Sequence, residues 1–169
     1  MLRTLLALAL TSLPLSIQAK VEIASSATAR CVIVTQPGAT PAERYAAEEL
    51  TATLRQITGA TFETRELADN APESAIVVGQ GPLVAKLFPE VELSKFGGEE
   101  FTIRTKGGRL LLAGGRPRGT LYAVYRFLQD ELGVRWYTPW FTQVSKRSSL
   151  NLGPLNVRGK PAFEYRDPF

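Results

Sequence analysis

The sequence predicts a single domain of the α+β or α/β class, with one mixed β-sheet and two main helices packed on one face. Three observations predict it. The chain has 169 residues, about the length of one domain, and 44% of them are hydrophobic. Short apolar runs rich in β-branched residues alternate with longer segments whose apolar residues recur every three or four positions. The expected order, β-α-β-β-α-β-β-α-β, places parallel and antiparallel strands in one sheet.

The first 19 residues are expected to be a secretory signal peptide. Arg3 lies near the start, and the apolar run that follows is short and is interrupted by Pro14. These features favour cleavage after Ala19 over an uncleaved membrane anchor. We therefore expect an exported protein, periplasmic or extracellular, whose residues 20–158 form the folded domain.

The first element of the domain is expected to be a buried strand. Residues 20–29 are small and polar and are interpreted as a lead-in without regular structure. The run Cys31–Thr35 is β-branched and ends before a Pro-Gly pair, which predicts a buried strand. Cys31 is the only cysteine in the chain, so it has no partner for an internal disulfide and is interpreted as a structural thiol.

A long amphipathic helix is predicted next. Thr40 is the expected N-cap, Pro41 occupies the first helical position, and Glu43 supplies the acid of a capping box. Gly59 ends the helix. Its predicted apolar stripe consists of Tyr45, Ala46, Leu50, Leu54 and Ile57. Glu43 is placed off this stripe.

Strands and one short helix are expected in the middle of the chain. Ala60–Leu67 alternates partially and is interpreted as an edge strand, whereas Ala75–Val78 predicts a buried strand. A short helix is expected near Leu83–Phe88, stopped by the following proline. Glu100–Thr105 and Arg109–Ala113 are joined by a Lys-Gly-Gly turn, which is typical of a hairpin.

The segment Gly114–Pro139 reads as a glycine turn, an amphipathic helix and an aromatic exit strand. The helix is expected to run from about Arg118 to Leu132 and to end at Gly133 in a left-handed cap. Its apolar face comprises Leu121, Val124, Tyr125, Leu128 and Leu132. Two short strands, Leu150–Leu152 and Leu155–Val157, are expected after it.

Composition excludes several classes of function. The chain contains no histidine, which removes Ser-His-Asp and Cys-His catalysis and most zinc sites. The net charge is +4, and the basic residues are scattered along the chain and interleaved with acidic ones. A nucleic-acid partner is therefore not expected. Gly79-Gln80-Gly81 lacks the third glycine of a dinucleotide-binding motif. We expect no metal and no cofactor.

Paired carboxylates are the remaining route to catalysis, and the acidic doublets do not fit it. The doublets are Glu48-Glu49, Glu99-Glu100 and Asp130-Glu131. Glycoside hydrolysis needs two carboxyl groups on either side of one bond, about 5 to 9 Å apart, whereas neighbours on a helix point in different directions. No catalytic residue is therefore assigned in this chain.

Two groups of residues are candidates for binding. Arg116 and Arg118 flank the start of the second long helix and could hold a carboxylate or sulfate, although a tight structural turn is the favoured interpretation. Trp136 and Trp140 belong to an aromatic group that could stack on sugar rings. A core or domain-interface role for this group is favoured over sugar binding.

The same segments resemble a known family. The residues that carry the resemblance are AAEELTATLRQITGA (46–60), IVVGQG (76–81), GEEFTIRTKGGRLLLAGGRPRGTLYAVYRFLQDELGVRWYTP (98–139) and PAFEYRDPF (161–169). They are similar to the accessory N-terminal domain of secreted glycoside hydrolases. The α-glucuronidase N-terminal domain is most similar, and that of β-N-acetylhexosaminidases resembles the chain more distantly.

This resemblance implies a non-catalytic α/β domain, followed in the parent enzyme by a catalytic (β/α)₈ barrel. Residues 159–169 are then expected to be a linker and the start of that barrel, which is absent from this chain. Within them, Arg166 is implied to contact sugar hydroxyls. The expected partner is the barrel, which would pack against the Trp136–Phe141 region and the end of the chain. A stand-alone carbohydrate-binding module is the alternative.

Overall fold

The computed structural model describes residues 20–160. Its strands are β1 (Val21–Ser25), β2 (Thr28–Ala29), β3 (Val32–Thr35), β4 (Thr64–Glu66), β5 (Ala75–Val78), β6 (Phe101–Lys106), β7 (Arg109–Gly114), β8 (Arg135–Thr138), β9 (Phe141–Gln143), β10 (Leu150–Leu152) and β11 (Asn156–Gly159). Its α-helices are α1 (Pro41–Thr58), α2 (Pro82–Leu87) and α3 (Gly119–Arg126). A 3₁₀ turn covers Leu93–Lys95, and a π-helical turn at Phe127–Glu131 continues α3.

The centre of the fold is a six-stranded mixed sheet in the order β11-β6-β7-β5-β3-β4. The strands β4, β3, β5 and β7 are parallel, because helices or long connections return the chain to the same edge. The hairpin β6–β7 and the pairing of β11 with β6 are antiparallel. Two smaller sheets, β10-β1-β2 and β8-β9, flank it. The predicted fold class is confirmed.

Both long helices pack on the same face of the sheet. Apolar residues of α1 and α3 join Ile33, Ile76 and Leu112 in one buried cluster. The opposite face is covered by α2 and the 3₁₀ turn, where Phe88 packs with Val77. Burial of apolar surface on both faces is what stabilises a largely parallel sheet.

The ends of α1 follow the sequence prediction. The Thr40 hydroxyl accepts a hydrogen bond from the Glu43 backbone N–H at 3.2 Å, and the Glu43 carboxylate accepts one from the Thr40 N–H at 2.7 Å. Gly59 has a left-handed φ of +75°. The predicted stripe was wrong at one position: Tyr45 is 48% exposed, because it lies at the margin of the apolar arc.

The lead-in prediction for residues 20–29 was wrong, since this segment forms β1 and β2. Val21 and Ile23 alternate with Glu22, and their side chains are fully buried. β1 pairs with β10, about 130 residues further along the chain, so only the tertiary fold supplies its partner. The edge strand predicted over Ala60–Leu67 is regular only in β4.

The helix predicted to Leu132 changes geometry before its end. α3 stops at Arg126, and the Leu132 N–H donates to the Phe127 carbonyl at 3.3 Å, five residues back, which is π-helical spacing. Gly133 then adopts φ +74° as expected of a left-handed cap. Within the described residues, no helix is both long and apolar enough to cross a bilayer.

Cys31 lies one residue before β3 and is buried. Its thiol lies 3.7 Å from the Ile23 carbonyl oxygen, to which it donates a weak hydrogen bond. Burial raises the pKa of this thiol to about 12. The environment is that of a structural cysteine rather than a reactive one.

Candidate functional site

The glycine-rich turn before α3 is held by backbone hydrogen bonds. The N–H groups of Arg118 and Gly119 both donate to the Gly98 carbonyl at 3.0 Å, and the Gly115 N–H donates to the Glu100 carbonyl at 2.8 Å. A Cβ on Gly119 would overlap the Glu100 carbonyl oxygen. Glycine is therefore required here by the close approach of two backbone segments.

Arg116 crosses from this turn to the first turn of α1. Its Nη2 lies 3.0 Å from Glu43 Oε2, its Nε lies 3.3 Å from Oε1, and Nη2 also donates to the Gly38 carbonyl at 3.1 Å. Glu43 is 1% exposed and accepts a further hydrogen bond from the Gln80 N–H at 3.0 Å. One buried carboxylate thus joins three segments of the chain.

The pKa of Glu43 reflects this environment. Burial raises it, whereas hydrogen bonds from Thr40, Arg116 and Gln80 lower it and prevail, so the carboxyl is held below its usual range. The prediction that Glu43 lies off the buried stripe of α1 was wrong. Its capping bond and its ion pair satisfy the charge, which allows burial.

Arg118 forms a second ion pair within the domain, 3.3 Å from Glu99. The Tyr122 hydroxyl donates to the same carboxylate at 3.4 Å. Both arginines of the turn are therefore engaged with carboxylates of the domain itself. An anionic ligand would have to compete with these carboxylates, so the geometry favours the tight structural turn.

The aromatic exit strand forms a two-stranded hairpin, β8–β9, called here the aromatic hairpin (residues 135–143). On one face, the rings of Tyr137 and Phe141 stack at 5.8 Å and are 61% and 57% exposed. On the other face, Trp136 packs edge-on against Tyr125 of α3 at 5.3 Å and remains 40% exposed. Trp140, at the tip, is 89% exposed.

The two candidate groups are separated by the second long helix. Arg116 and Arg118 precede its N-terminus, whereas the aromatic hairpin lies beside its C-terminal half. Tyr125, which contacts Trp136 of the hairpin, lies six residues after Gly119, about 9 Å along the helix axis at roughly 1.5 Å per residue. The structure brings the tryptophans onto one hairpin and keeps them apart from both arginines.

Two of the acidic doublets contain a carboxylate that is paired with an arginine. Glu100 pairs with Arg158 at 2.6 Å, and Asp130 pairs with Arg126 at 2.8 Å. Within residues 20–160, no cluster of three or more His, Cys, Asp or Glu side chains is arranged to hold a metal ion. Arg166 lies outside the described residues.

A feature that sequence reasoning did not assign is a surface groove of about 810 Å³, called here the basic groove. It lies between residues 55–59 at the end of α1 and residues 142–148 after the aromatic hairpin. Three cations line it: Arg55, Lys146 and Arg147. The adjacent pair Lys146-Arg147 was the only signal in the sequence.

Comparison with known proteins identifies the family. The model of the glycosyl hydrolase family 67 N-terminus matches residues 14–127, about two thirds of the chain. Among solved structures, a family GH115 4-O-methyl-α-glucuronidase with specificity for decorated arabinogalactans superimposes with a TM-score of 0.65 and 22% identity. It covers 86% of this chain, which spans only 19% of that structure.

A GH138 enzyme targeting pectin rhamnogalacturonan II gives a TM-score of 0.37 at 20% identity, over 67% of this chain and 11% of that one. No curated protein matches the chain. The α-glucuronidase structure shares the fold. On the match to the family model, the chain belongs to the glycosyl hydrolase family 67 N-terminal domain family.

Proposed function

We propose that this chain is the non-catalytic N-terminal domain of an exported glycoside hydrolase of the α-glucuronidase kind. Its role is to support a catalytic barrel in the parent protein. The family match carries this proposal, because it covers the N-terminal part of a larger hydrolase and most of the folded domain. The short share of the α-glucuronidase structure that the chain spans agrees with an accessory position.

The aromatic hairpin is the surface through which the domain contacts the barrel. Tyr137, Trp140 and Phe141 present apolar rings to solvent on one face and at the tip of the hairpin. Contiguous exposed aromatics are costly to leave in water, and they are typical of surfaces covered by another domain. Residues 159–169, which begin at the end of β11, would supply the second connection to the barrel, as the family resemblance implies.

Two further parts of the proposal concern the ends of the chain. Residues 1–19 direct export and are removed, which places residues 20–158 in the periplasm or outside the cell. Arg166 contacts sugar hydroxyls once the barrel has formed around it, as the family resemblance implies.

An activity assay tests the non-catalytic role. The 169-residue chain, incubated with aryl glycosides and glucuronoxylan fragments, should release no product above the rate of a buffer control. The arrangement of carboxylates supports this expectation, because Glu100 and Asp130 are paired with arginines. A measurable rate that disappears on replacement of one Asp or Glu would refute the proposal.

A stand-alone carbohydrate-binding module is the second candidate, favoured by the exposure of Trp140. Titration with neutral and acidic oligosaccharides separates the two. In a module built on the aromatic hairpin, Trp140→Ala weakens binding at least about tenfold, whereas Arg118→Ala leaves it unchanged because that side chain lies at the other end of α3. Equal binding by both variants and the native chain excludes the hairpin as the sugar site.

A further inference from the structure

The carboxyl ends of β3, β5 and β7 meet at one edge of the central sheet. These strands are adjacent and parallel. The chain leaves β3 into α1 on one face of the sheet and leaves β5 into α2 on the opposite face, and β4 and β5 lie on opposite sides of β3. Open α/β sheets hold their ligands at such a reversal of strand order. The position, formed by residues 36–43, 79–83 and 114–116, is called here the switch crevice.

Four N–H donors converge on one carboxylate in the switch crevice. The backbone N–H groups of Thr40 and Gln80 lie 2.7 and 3.0 Å from the Glu43 carboxylate oxygens. Arg116 places Nη2 and Nε at 3.0 and 3.3 Å from the same two oxygens. Each oxygen accepts one backbone and one guanidinium hydrogen bond, so all four acceptor positions of the carboxylate are used. A guanidinium fork combined with backbone N–H groups at a helix start is an arrangement that binds free carboxylates.

Contacts that do not involve this carboxylate hold the donors in place. Nη2 of Arg116 also donates to the Gly38 carbonyl at 3.1 Å, and the Gln80 side chain donates to the Gly114 carbonyl at 2.8 Å. The buried side chain of Gln36 donates to the carbonyl of the residue before Gln80 at 3.2 Å. The lining of the site is therefore expected to keep its shape when the carboxylate is removed.

The native chain fills the switch crevice with its own side chains. Glu43 is 1% exposed, and within residues 20–160 no buried side-chain nitrogen or oxygen lacks a hydrogen-bond partner. A Cβ on Gly79 would lie 3.2 Å from Glu43 Cδ, and one on Gly81 would overlap the Gln36 side chain. Arg116, which is 43% exposed, is the part of the lining that reaches solvent.

We propose that the switch crevice is a binding site for a small monocarboxylate, and that the native chain supplies this carboxylate from its own Glu43. The native domain is therefore closed to ligands at this position. Beyond its Cβ, the Glu43 side chain has the non-hydrogen atoms of an acetate ion, so Glu43→Ala leaves four donors around a space of that size. The variant should bind acetate there. This inference goes beyond the accessory role and does not rest on it.

The first experiment measures urea unfolding of Glu43→Ala in sodium acetate and in sodium chloride of equal ionic strength, at about pH 7, where acetate is ionised. Acetate that binds the folded state should raise the midpoint in proportion to the logarithm of its concentration once that exceeds the dissociation constant. The control is Glu48→Ala, on the exposed side of α1, which should show only the general effect of the two salts.

The second experiment tests which atoms bind the ligand. Acetamide has the shape of acetate without its charge, and it should bind Glu43→Ala at least about tenfold more weakly. The double variant Glu43→Ala/Arg116→Gln should lose at least about tenfold in affinity for acetate. In NMR spectra of Glu43→Ala, acetate should shift the backbone amide resonances of Thr40 and Gln80, whereas the native spectrum should not change.

Three results would overturn the proposal: equal responses of Glu43→Ala and Glu48→Ala to acetate, equal binding of acetamide, or unchanged amide resonances of Thr40 and Gln80. If Glu43→Ala is unfolded in chloride, recovery of the native circular dichroism in acetate supports the proposal, and failure to recover it contradicts the proposal. None of these results bears on the accessory role, which the activity assay tests separately. Conversely, hydrolysis by the chain would refute that role and leave the acetate measurements intact.

Discussion

Arg116 and Glu43 lie 73 residues apart in the sequence and meet through two contacts, at 3.0 and 3.3 Å. The carboxylate is buried, while the side chain of Arg116 remains 43% exposed. This pair connects the glycine turn before α3 to the first turn of α1. It uses an arginine that sequence reasoning considered for ligand binding.

Removing the buried carboxylate should destabilise the domain. Glu43→Gln loses the ion pair and weakens the helix cap, and we expect a decrease of about 2–3 kcal/mol in the free energy of unfolding, measured in urea. Glu48→Gln, on the exposed side of α1, is the control and should stay within about 0.5 kcal/mol. A double-mutant cycle with Arg116→Gln should give a coupling of about 1–3 kcal/mol. Additive effects would contradict the pairing.

The same carboxylate should make stability depend on pH. Its pKa in the folded state lies below its usual range, because hydrogen bonds from Thr40, Arg116 and Gln80 outweigh the effect of burial. The contribution of the Glu43 carboxylate to the free energy of unfolding is therefore complete above its unfolded pKa of about 4.3. This contribution is lost as the pH falls through the lower pKa of the folded state.

Unfolding of the native chain and of Glu43→Gln at about pH 7 and at progressively lower pH measures this contribution. The difference in stability should shrink in acid. The carboxyls of Glu63, Glu90 and Glu100, whose pKa values are also lowered by cationic partners, are common to both proteins and cancel in the difference. A difference that stays constant with pH would rule out the predicted ionisation of Glu43.

Gly119→Ala should destabilise the domain although alanine is the better helix former. The added methyl group would overlap the Glu100 carbonyl oxygen, and backbone segments must separate to admit it. We expect a loss of about 1–3 kcal/mol by thermal or urea unfolding. At Gly153 a Cβ meets no atom within 4 Å, so Gly153→Ala should be nearly neutral. A stabilised Gly119→Ala would show that helix propensity dominates there.

The two tryptophans of the aromatic hairpin should respond differently to truncation. Trp136→Ala removes the edge-on contact with Tyr125 and should lower stability by about 1 kcal/mol or more. Trp140→Ala removes a ring that is 89% exposed and should change stability by less than about 0.5 kcal/mol. Urea unfolding compares them, and a large effect at Trp140 would indicate that its ring packs within the domain.

The thiol of Cys31 should be unreactive in the folded protein. Burial raises its pKa to about 12, so the thiolate is scarce at about pH 8 and the reagent cannot reach it. A disulfide reagent such as DTNB should titrate no thiol in the native chain and one after unfolding in guanidinium, because the sequence has one cysteine. Rapid labelling of the native chain would place Cys31 at the surface.

Local sequence signals predicted the elements that rest on local chemistry. Thr40, Glu43 and Gly59 mark the ends of α1 in the sequence, and the structure uses each of them. β1 has no such signal, because its partner β10 is distant in sequence. The π-helical turn after Arg126 was missed for the opposite reason, since an apolar period cannot distinguish hydrogen bonding at four residues from five.

The candidate site was predicted in its residue types and less well in its geometry. The aromatic group after α3 and the two arginines before it were both identified from the sequence. Their separation, and the ion pairs of Arg116 and Arg118, depend on contacts between distant segments. The basic groove has the same origin, because Arg55 and Lys146 are 91 positions apart and adjoin only in the folded chain.

The direction of β11 has a mechanical consequence. This strand ends at Gly159 opposite Phe101, near the N-terminus of α3, whereas the aromatic hairpin lies beside the C-terminal half of that helix. A barrel joined to the end of β11 and seated on the hairpin would be held at two separate points. A single connection lets two domains rotate relative to each other, whereas two separate connections fix their relative orientation. The accessory domain would therefore hold the barrel in one orientation.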